Sequence, residues 1–332
     1  MASPMIPPPH APQFLESCGW AGARIEPLAG DASFRRYFRV IGEGRSAVLM
    51  DAPPPQEDPR PFVAVAEWLK SVGLSAPEIL ARDLDKGLLL LADLGDARLR
   101  ETLDDDPARE RELYEHATDL LVHLHAFPPM PGLRVHGLDQ WLEELMLFPD
   151  WYCRALSLDV DVDSYRRAWT EALRPVAEDG LGPVTVLRDF HAENVMLISD
   201  RQGVAHLGLL DFQDALAGHP AYDLASVLED ARRDVPPALE RAMIDRYRSA
   251  VGHGEAFERA YWALAAQRNT RILGVFTRLW KRDNKPHYTS FQPRMWGLLE
   301  RDLAQPHLAR VREWFDRNVP PDQRRAPWRD AA

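Results

Sequence analysis

Three short apolar runs, spaced by little more than turn chemistry, limit what the region from residue 184 to 211 can form. Val184-Thr185-Val186-Leu187 is a β-branched run, Asn194 to Ile198 is a second and Val204 to Leu210 a third. Ser199-Asp200-Arg201-Gln202-Gly203 supplies the turn between the last two. Such a pattern predicts consecutive short strands. Asp189 then follows the first strand, Asn194 opens the second and Asp211 ends the third. A hairpin of the second and third strands brings Asn194 and Asp211 to the same end, where two hard oxygen donors suit magnesium. A lone loop aspartate is ordinarily a cap or turn residue. Beside a paired amide and carboxylate, Asp189 instead reads as the base that orients an attacking hydroxyl in phosphoryl transfer.

The spacing of Asp189 and Asn194, together with Asp211-Phe212-Gln213 and Ala221-Tyr222-Asp223-Leu224-Ala225-Ser226, resembles the aminoglycoside phosphotransferase family, small-molecule relatives of the protein kinases. That family's catalytic loop reads His-Gly-Asp, and here Leu187-Arg188 replace the His-Gly. By resemblance, Asp211-Phe212-Gln213 corresponds to the kinase Asp-Phe-Gly segment, and Asp223 to the acid that buttresses the catalytic loop. Gly30 to Arg39 and Leu210 to Asp234 are similar to the bacterial anomeric amino-sugar kinases within this family, over roughly Ile25 to Trp314, with Leu209 to Gly218 the most specific part. The resemblance implies an α+β, bilobal protein-kinase-like fold, with a small antiparallel lobe and a larger helical one. It also implies ATP and Mg2+ as cofactors, Asp189 as base, and Asn194 and Asp211 as metal ligands. The implied acceptor is the C1 hydroxyl of N-acetylmuramate or N-acetylglucosamine, in recycling of cell-wall sugars.

A chain of 332 residues suits two lobes better than one small core. Its formal charge of -11, without a contiguous basic run, argues against nucleic acid as a partner. Met1 to Pro12 is proline-rich and lacks a basic leader or an apolar stretch, so neither secretion nor membrane insertion is expected. A nucleotide-using enzyme of this kind is expected in the cytoplasm. Cys18 and Cys153 form no disulfide framework and no zinc pattern. His191 and Glu193 make a His-x-Glu, but no Pro-Cys-x-x-Cys follows, so a zinc deaminase is excluded. There is no His-Glu-x-x-His, Gly-x-Ser-x-Gly or Walker loop either.

The expected organisation is a nucleotide-binding lobe over 1–91, a hinge over 92–96 and a catalytic and substrate-binding lobe over 97–332. In the first, a helix at Pro12 to Trp20 precedes strands at Arg24 to Ala29, Arg35 to Ile41 and Ser46 to Met50, with Gly42-Glu43-Gly44 as a hairpin turn. Phe62, Val65, Ala66 and Leu69 mark a helix that Gly73 stops, and Ile79 to Arg82 and Gly87 to Leu91 a final strand pair. Beyond the hinge, helical faces run through Leu113 to Leu124, Trp141 to Phe148, Leu224 to Ala231, Leu239 to Tyr247, Leu264 to Leu279 and Leu308 to Phe315.

Gly30, Ala32 and Ser33 lie where a phosphate-covering loop belongs, although the segment lacks Gly-x-Gly-x-x-Gly and an ordinary hairpin turn would explain it equally. Ala92 and Leu94 in the hinge are further candidate nucleotide contacts. Ala47-Val48-Leu49-Met50 aligns with the strand that in kinases ends in a phosphate-clamping lysine, and here it ends in methionine. Arg35, Arg36 and Arg39 are the nearest cations. Alternation places Arg36 on the face of Phe38 and Val40, expected to look into a cleft, so Arg36 is the candidate, against the alternative of solvent-facing arginines. Glu67 could hold such an arginine or be a surface acid.

For the acceptor, Arg268, Arg271 and Arg278 share one stripe of a helix beside Ile272, Val275 and Phe276. Arg268 and Arg271 are candidates for a sugar carboxylate, against a solvated helix flank. Trp151, with Trp141 and Tyr152, could stack on a sugar ring or simply fill the core. A kinase of an aminoglycoside or choline-like cation would need acids and aromatics instead. The missing lysine also leaves open a nucleotide-binding pseudokinase.

Overall fold

A computed structural model describes residues 5–28 and 34–325. The chain forms two compact units. One comprises 1–105 with 193–214, the other 106–192 with 215–332. The division therefore differs from a single boundary at 92–96, because the chain returns to the first unit for the segment that carries Asn194 and Asp211.

The first unit is built on a five-stranded antiparallel sheet. Its strands are β1 (Arg24–Pro27), β2 (Arg36–Gly42), β3 (Arg45–Asp51), β4 (Ile79–Asp83) and β5 (Leu88–Ala92), in the order β1-β2-β3-β5-β4. Glu43 and Gly44 alone join β2 to β3, and Gly44 takes a φ of 67°, which glycine adopts without steric cost. The four leucines of β5 are all buried, so its run is continuous rather than alternating. Its Leu88 and Leu90 join Phe38, Val40, Ala47 and Leu49 against Phe14 and Leu15 of α1 (Ala11–Ser17) and Trp20. Helix α2 (Arg60–Ser71) buries Phe62, Val65, Ala66 and Leu69, as its spacing predicts. After α3 (Leu99–Asp105), the unit is completed by the two-stranded hairpin of β8 (Val195–Leu197) and β9 (Leu207–Leu209). Val204 to His206, expected as strand, lies in a 3-10 turn instead. Leu209 N–H donates to the Ser75 carbonyl at 2.7 Å and Leu197 N–H to the Ala97 carbonyl at 2.7 Å, so both edges of the hairpin are bonded to the N-terminal part of the chain.

The second unit is mainly helical, with α4 (Glu110–His125), α5 (Leu138–Leu145), α6 (Val162–Ala177), α7 (Ala221–Leu228), α8 (Pro237–Val251), α9 (Glu255–Lys281), α10 (Gln292–Asp302), α11 (Ala309–Asn318) and α12 (Pro321–Arg325). Its small sheet has the order β6-β10-β7, from β6 (Val135–His136), β7 (Val184–Val186) and β10 (Leu216–Gly218). Sequence spacing missed α6, yet Tyr165, Trp169, Ala172, Leu173 and Val176 form its buried face and the Asp161 carboxylate caps it by accepting from Ser164 N–H at 2.9 Å. The long helix α9 packs against α5, α6, α7 and α10. A side chain at its Gly274 would place Cβ 2.4 Å from the Leu147 carbonyl, so the crossing requires glycine. Tyr152 and Trp141 are core residues: the Tyr152 hydroxyl donates to the Gln323 carbonyl at 2.8 Å and accepts from Trp296 Nε1 at 2.9 Å.

Candidate functional site

In the helical unit, the loop after β7 is held at both ends by buried carboxylates. Asp223, in the first turn of α7, accepts from Leu187 N–H at 2.5 Å and from Arg188 N–H at 2.8 Å. Asp230 accepts from Ala192 N–H at 3.2 Å. Between them Asp189 N–H donates to the Leu187 carbonyl at 2.9 Å and His191 N–H to the Asp189 carbonyl at 3.1 Å, a tight turn that fixes the backbone of Asp189. Arg188 has a φ of +73°, the region glycine occupies most readily, so it takes the backbone conformation for which the expected His-Gly pattern has glycine. Burial pushes the Asp223 carboxyl up to about 7, against the Leu187 and Arg188 amides, which favour its ionised form. Burial pushes the His191 imidazole down.

The Arg188 guanidinium lies 2.9 Å from Glu144 Oε1 on α5. Glu144 is nearly fully buried and also meets His136 at 3.3 Å and Arg271 at 3.6 Å. Burial alone would raise its carboxyl, but the His136 bond and the Arg271 and Arg188 charges carry it down to about 2. Sequence reasoning missed Glu144 because its arginine partners, Arg188 and Arg271, are remote along the chain. Arg268, expected on a solvated flank or at a sugar, is buried and donates to the Glu229 carbonyl at 3.3 Å. Trp151 is half-buried in a π-helical turn at Phe148–Cys153.

In the sheet unit, the β8–β9 hairpin sets the two oxygen donors side by side. Val195 faces Leu209, and the Asn194 carbonyl accepts from Leu210 N–H at 2.9 Å, so Asn194 and Asp211 flank the same end. Asp211 has a φ of +56°, and its Oδ1 accepts from Gln213 Nε2 at 2.9 Å. Next to it, Phe212 stacks on Phe62 of α2 with centroids 4.8 Å apart. No group of three or more His, Cys, Asp or Glu poised for a metal occurs among the described residues. An amide and a carboxylate together still fit magnesium, which takes few protein ligands when phosphate oxygens supply others.

Arg36 does not look into a cleft. Its face of β2 packs on α1 through Phe38 and Val40, and its guanidinium pairs with buried Asp51, the Nε to Oδ2 distance being 2.8 Å. Arg39 is engaged by Asp93 at 2.9 Å and Asp96 at 2.7 Å, just after Ala92 of β5. Met50, where a lysine was expected, is fully buried beside Tyr37 in register. Glu67 is exposed and meets Arg82 at 3.2 Å, which makes it a surface acid. The remaining cation is Arg35, largely buried between Glu57 at 3.8 Å and Asp214 at 3.9 Å. Burial pushes the Tyr37 hydroxyl up to about 12, with Arg35 opposing and Asp211 and Glu57 adding to the rise, so these groups share one electrostatic neighbourhood. Arg35 and Tyr37 went unselected because alternation alone does not say which face of β2 is covered by α1. Leu94 packs over Gly208, where an added Cβ would come within 2.9 Å of its Cδ1. Gly30, Ala32 and Ser33 lie outside the described residues.

The profile of a phosphotransferase enzyme family matches residues 24–262. An N-acetylmuramate/N-acetylglucosamine kinase of Caulobacter vibrioides is 39% identical over 94% of this chain and 96% of its own. Another of that name, from Pseudomonas aeruginosa, is 38% identical over 91% of each chain. Among solved structures, a choline/ethanolamine kinase family protein from Mesorhizobium loti superposes with a TM-score of 0.62 at 17% identity, over 89% of this chain and 94% of that one. A choline kinase from Streptococcus pneumoniae gives 0.62 at 14%, over 90% and 99%. At these identities the structural likeness establishes a kinase-like fold and nothing about substrate.

Proposed function

The chain belongs to the phosphotransferase enzyme family, and from that premise we propose that it is an ATP- and magnesium-dependent kinase of N-acetylmuramate and N-acetylglucosamine, acting on the C1 hydroxyl. The observation that carries this reading is the pair of oxygen donors, Asn194 and Asp211, at one end of the β8–β9 hairpin, in a chain whose curated relatives are named for these sugars. Asp189 is the proposed base. Its carboxylate orients the acceptor hydroxyl and takes its proton as the oxygen attacks the γ-phosphorus and the bond to the β–γ bridging oxygen breaks to release ADP, while Asp223 and Asp230 hold the loop that presents it. Asn194 and Asp211 would hold magnesium, which when bound neutralises charge on the nucleotide phosphates. Arg35 is the proposed cation where the lysine is absent, and Ala92 and Leu94 the proposed base-side contacts in the 92–96 segment. Arg271 and Trp151 are the proposed acceptor contacts, whereas Arg268 is held by the Glu229 carbonyl.

Residues 1–91 would then form most of the nucleotide-binding part, and the helical unit the acceptor-binding part. No described helix is long and apolar enough to cross a membrane, and cytoplasmic action is proposed because ATP is supplied there. Phosphorus NMR of the product tests the reading: a sugar 1-phosphate supports it, whereas phosphate at C6, or turnover with aminoglycosides alone, overturns it. Asp189→Asn is expected to lower kcat by about 100-fold or more, the usual scale for a general base, with nucleotide binding retained by calorimetry.

A further inference from the structure

The stretch from the middle of α9 to its C-cap residue Arg282 carries arginines at 268, 271, 278 and 282. Three of them meet oxygen atoms of this chain: Arg268 the Glu229 carbonyl, Arg271 the Glu144 carboxylate, and Arg282 the Asp283 carboxylate at 2.7 Å. Arg278 differs. Its side chain is half-buried, its Nε is shielded from solvent, and it makes no hydrogen bond or ion pair among the described residues. Burial pushes the guanidinium down, and Arg282 and Arg271 push further in the same direction, opposed only in part by Asp283, which Arg282 already engages. A half-buried cation among like charges is costly unless an anion meets it. Arg278 stands two helical turns, about 10 Å, along α9 from Arg271. Arg271 in turn shares Glu144 with Arg188, the residue immediately before Asp189.

We propose that Arg278 is a specificity-determining residue for an acidic acceptor, receiving with Arg271 the carboxylate of the lactyl ether that distinguishes N-acetylmuramate from N-acetylglucosamine. The planar fork of arginine matches a carboxylate in two parallel hydrogen bonds, and the neutral sugar has no group to fill that place. This inference rests on the amino-sugar kinase reading and adds which side chain reads the acid.

Steady-state kinetics of the full chain with both sugars test it, comparing the native protein with Arg278→Gln and Arg278→Lys. Arg278→Gln should raise KM for N-acetylmuramate by roughly tenfold or more, the scale of a lost charged hydrogen bond, with kcat little changed. The parameters for N-acetylglucosamine should stay within about twofold by the same argument, and Arg278→Lys should recover part of the loss. A thermal melt as high as that of the native protein shows the variant folded. Equal losses for both sugars, no loss for either, or native turnover of N-acetylglucosamine without N-acetylmuramate overturns the role of Arg278 alone. Native protein that phosphorylates neither sugar overturns the amino-sugar kinase reading on which it rests.

Discussion

Arg35 and Arg36 are neighbours in sequence with separate surroundings, and the difference follows from which face of β2 lies under α1. Arg36 neutralises Asp51, a carboxylate with almost no exposure, while its own guanidinium is about a third exposed. Removing it leaves a buried charge unpaired. Such losses reach 3–5 kcal/mol for fully buried pairs, and the exposure of Arg36 reduces the expectation to about 2 kcal/mol. Arg36→Ala should therefore lower the melting temperature with little change in KM for ATP. Arg35→Ala should raise KM for ATP about tenfold if Arg35 meets phosphate, with a smaller loss of melting temperature because its partners Glu57 and Asp214 lie at 3.8 and 3.9 Å. Differential scanning fluorimetry beside nucleotide kinetics reads both. The sequence offered both arginines and a missing lysine. It held no information on which one would be taken by Asp51, fifteen residues later.

At the scale of elements, the loop that carries the proposed base, Asp189, depends on the first turn of α7. The Asp223 carboxyl is raised from its ordinary 3.8 to about 7 by burial, and its ionised form accepts from two backbone N–H groups. The folded state therefore holds the Asp223 proton more tightly than the unfolded state does. Its contribution to stability is present in full below about 4 and is lost as pH rises through about 7. Activity should run the other way, because protonation below 7 turns an acceptor into a donor that the loop amides cannot use. Turnover is expected to fall on the acid side with an apparent pKa near 7, and Asp223→Asn to be slow and flat across pH 6 to 8. An acid limb unchanged in that variant would assign the limb to another group. The loop's acid was legible from Ala221 to Ser226, whereas Asp230 and Glu144 were not. Their partners, Ala192 and Arg188, are 38 and 44 residues away, and no local period marks such a pairing.

Over the whole molecule, the chain leaves the sheet unit at residue 105 and returns to it at 193–214. The β8–β9 hairpin bonds to Ser75 and Ala97 along its two edges, and Phe212 stacks on Phe62. A fragment ending at residue 105 would lose these bonds and expose the apolar surface they cover. It is expected to give no cooperative thermal transition by circular dichroism, whereas the full chain does. A cooperative transition in the fragment would show that the sheet and α1 suffice.

What the sequence alone determined was local: the hairpin turns, the amphipathic faces of α2 and α4, and the order of Asp189, Asn194 and Asp211 on short strands. These follow from periods of two and 3.6 residues and from turn chemistry, all of which operate within a few residues. Tertiary structure decided what depends on burial and on distant partners. It covered the Arg36 face of β2 with α1, gave Glu144 two arginines, and buried Arg268 on Glu229. It also placed Asp189 on one compact unit and Asn194 and Asp211 on the other. Charge pairing and desolvation are properties of the packed chain, and the letters in order do not contain them.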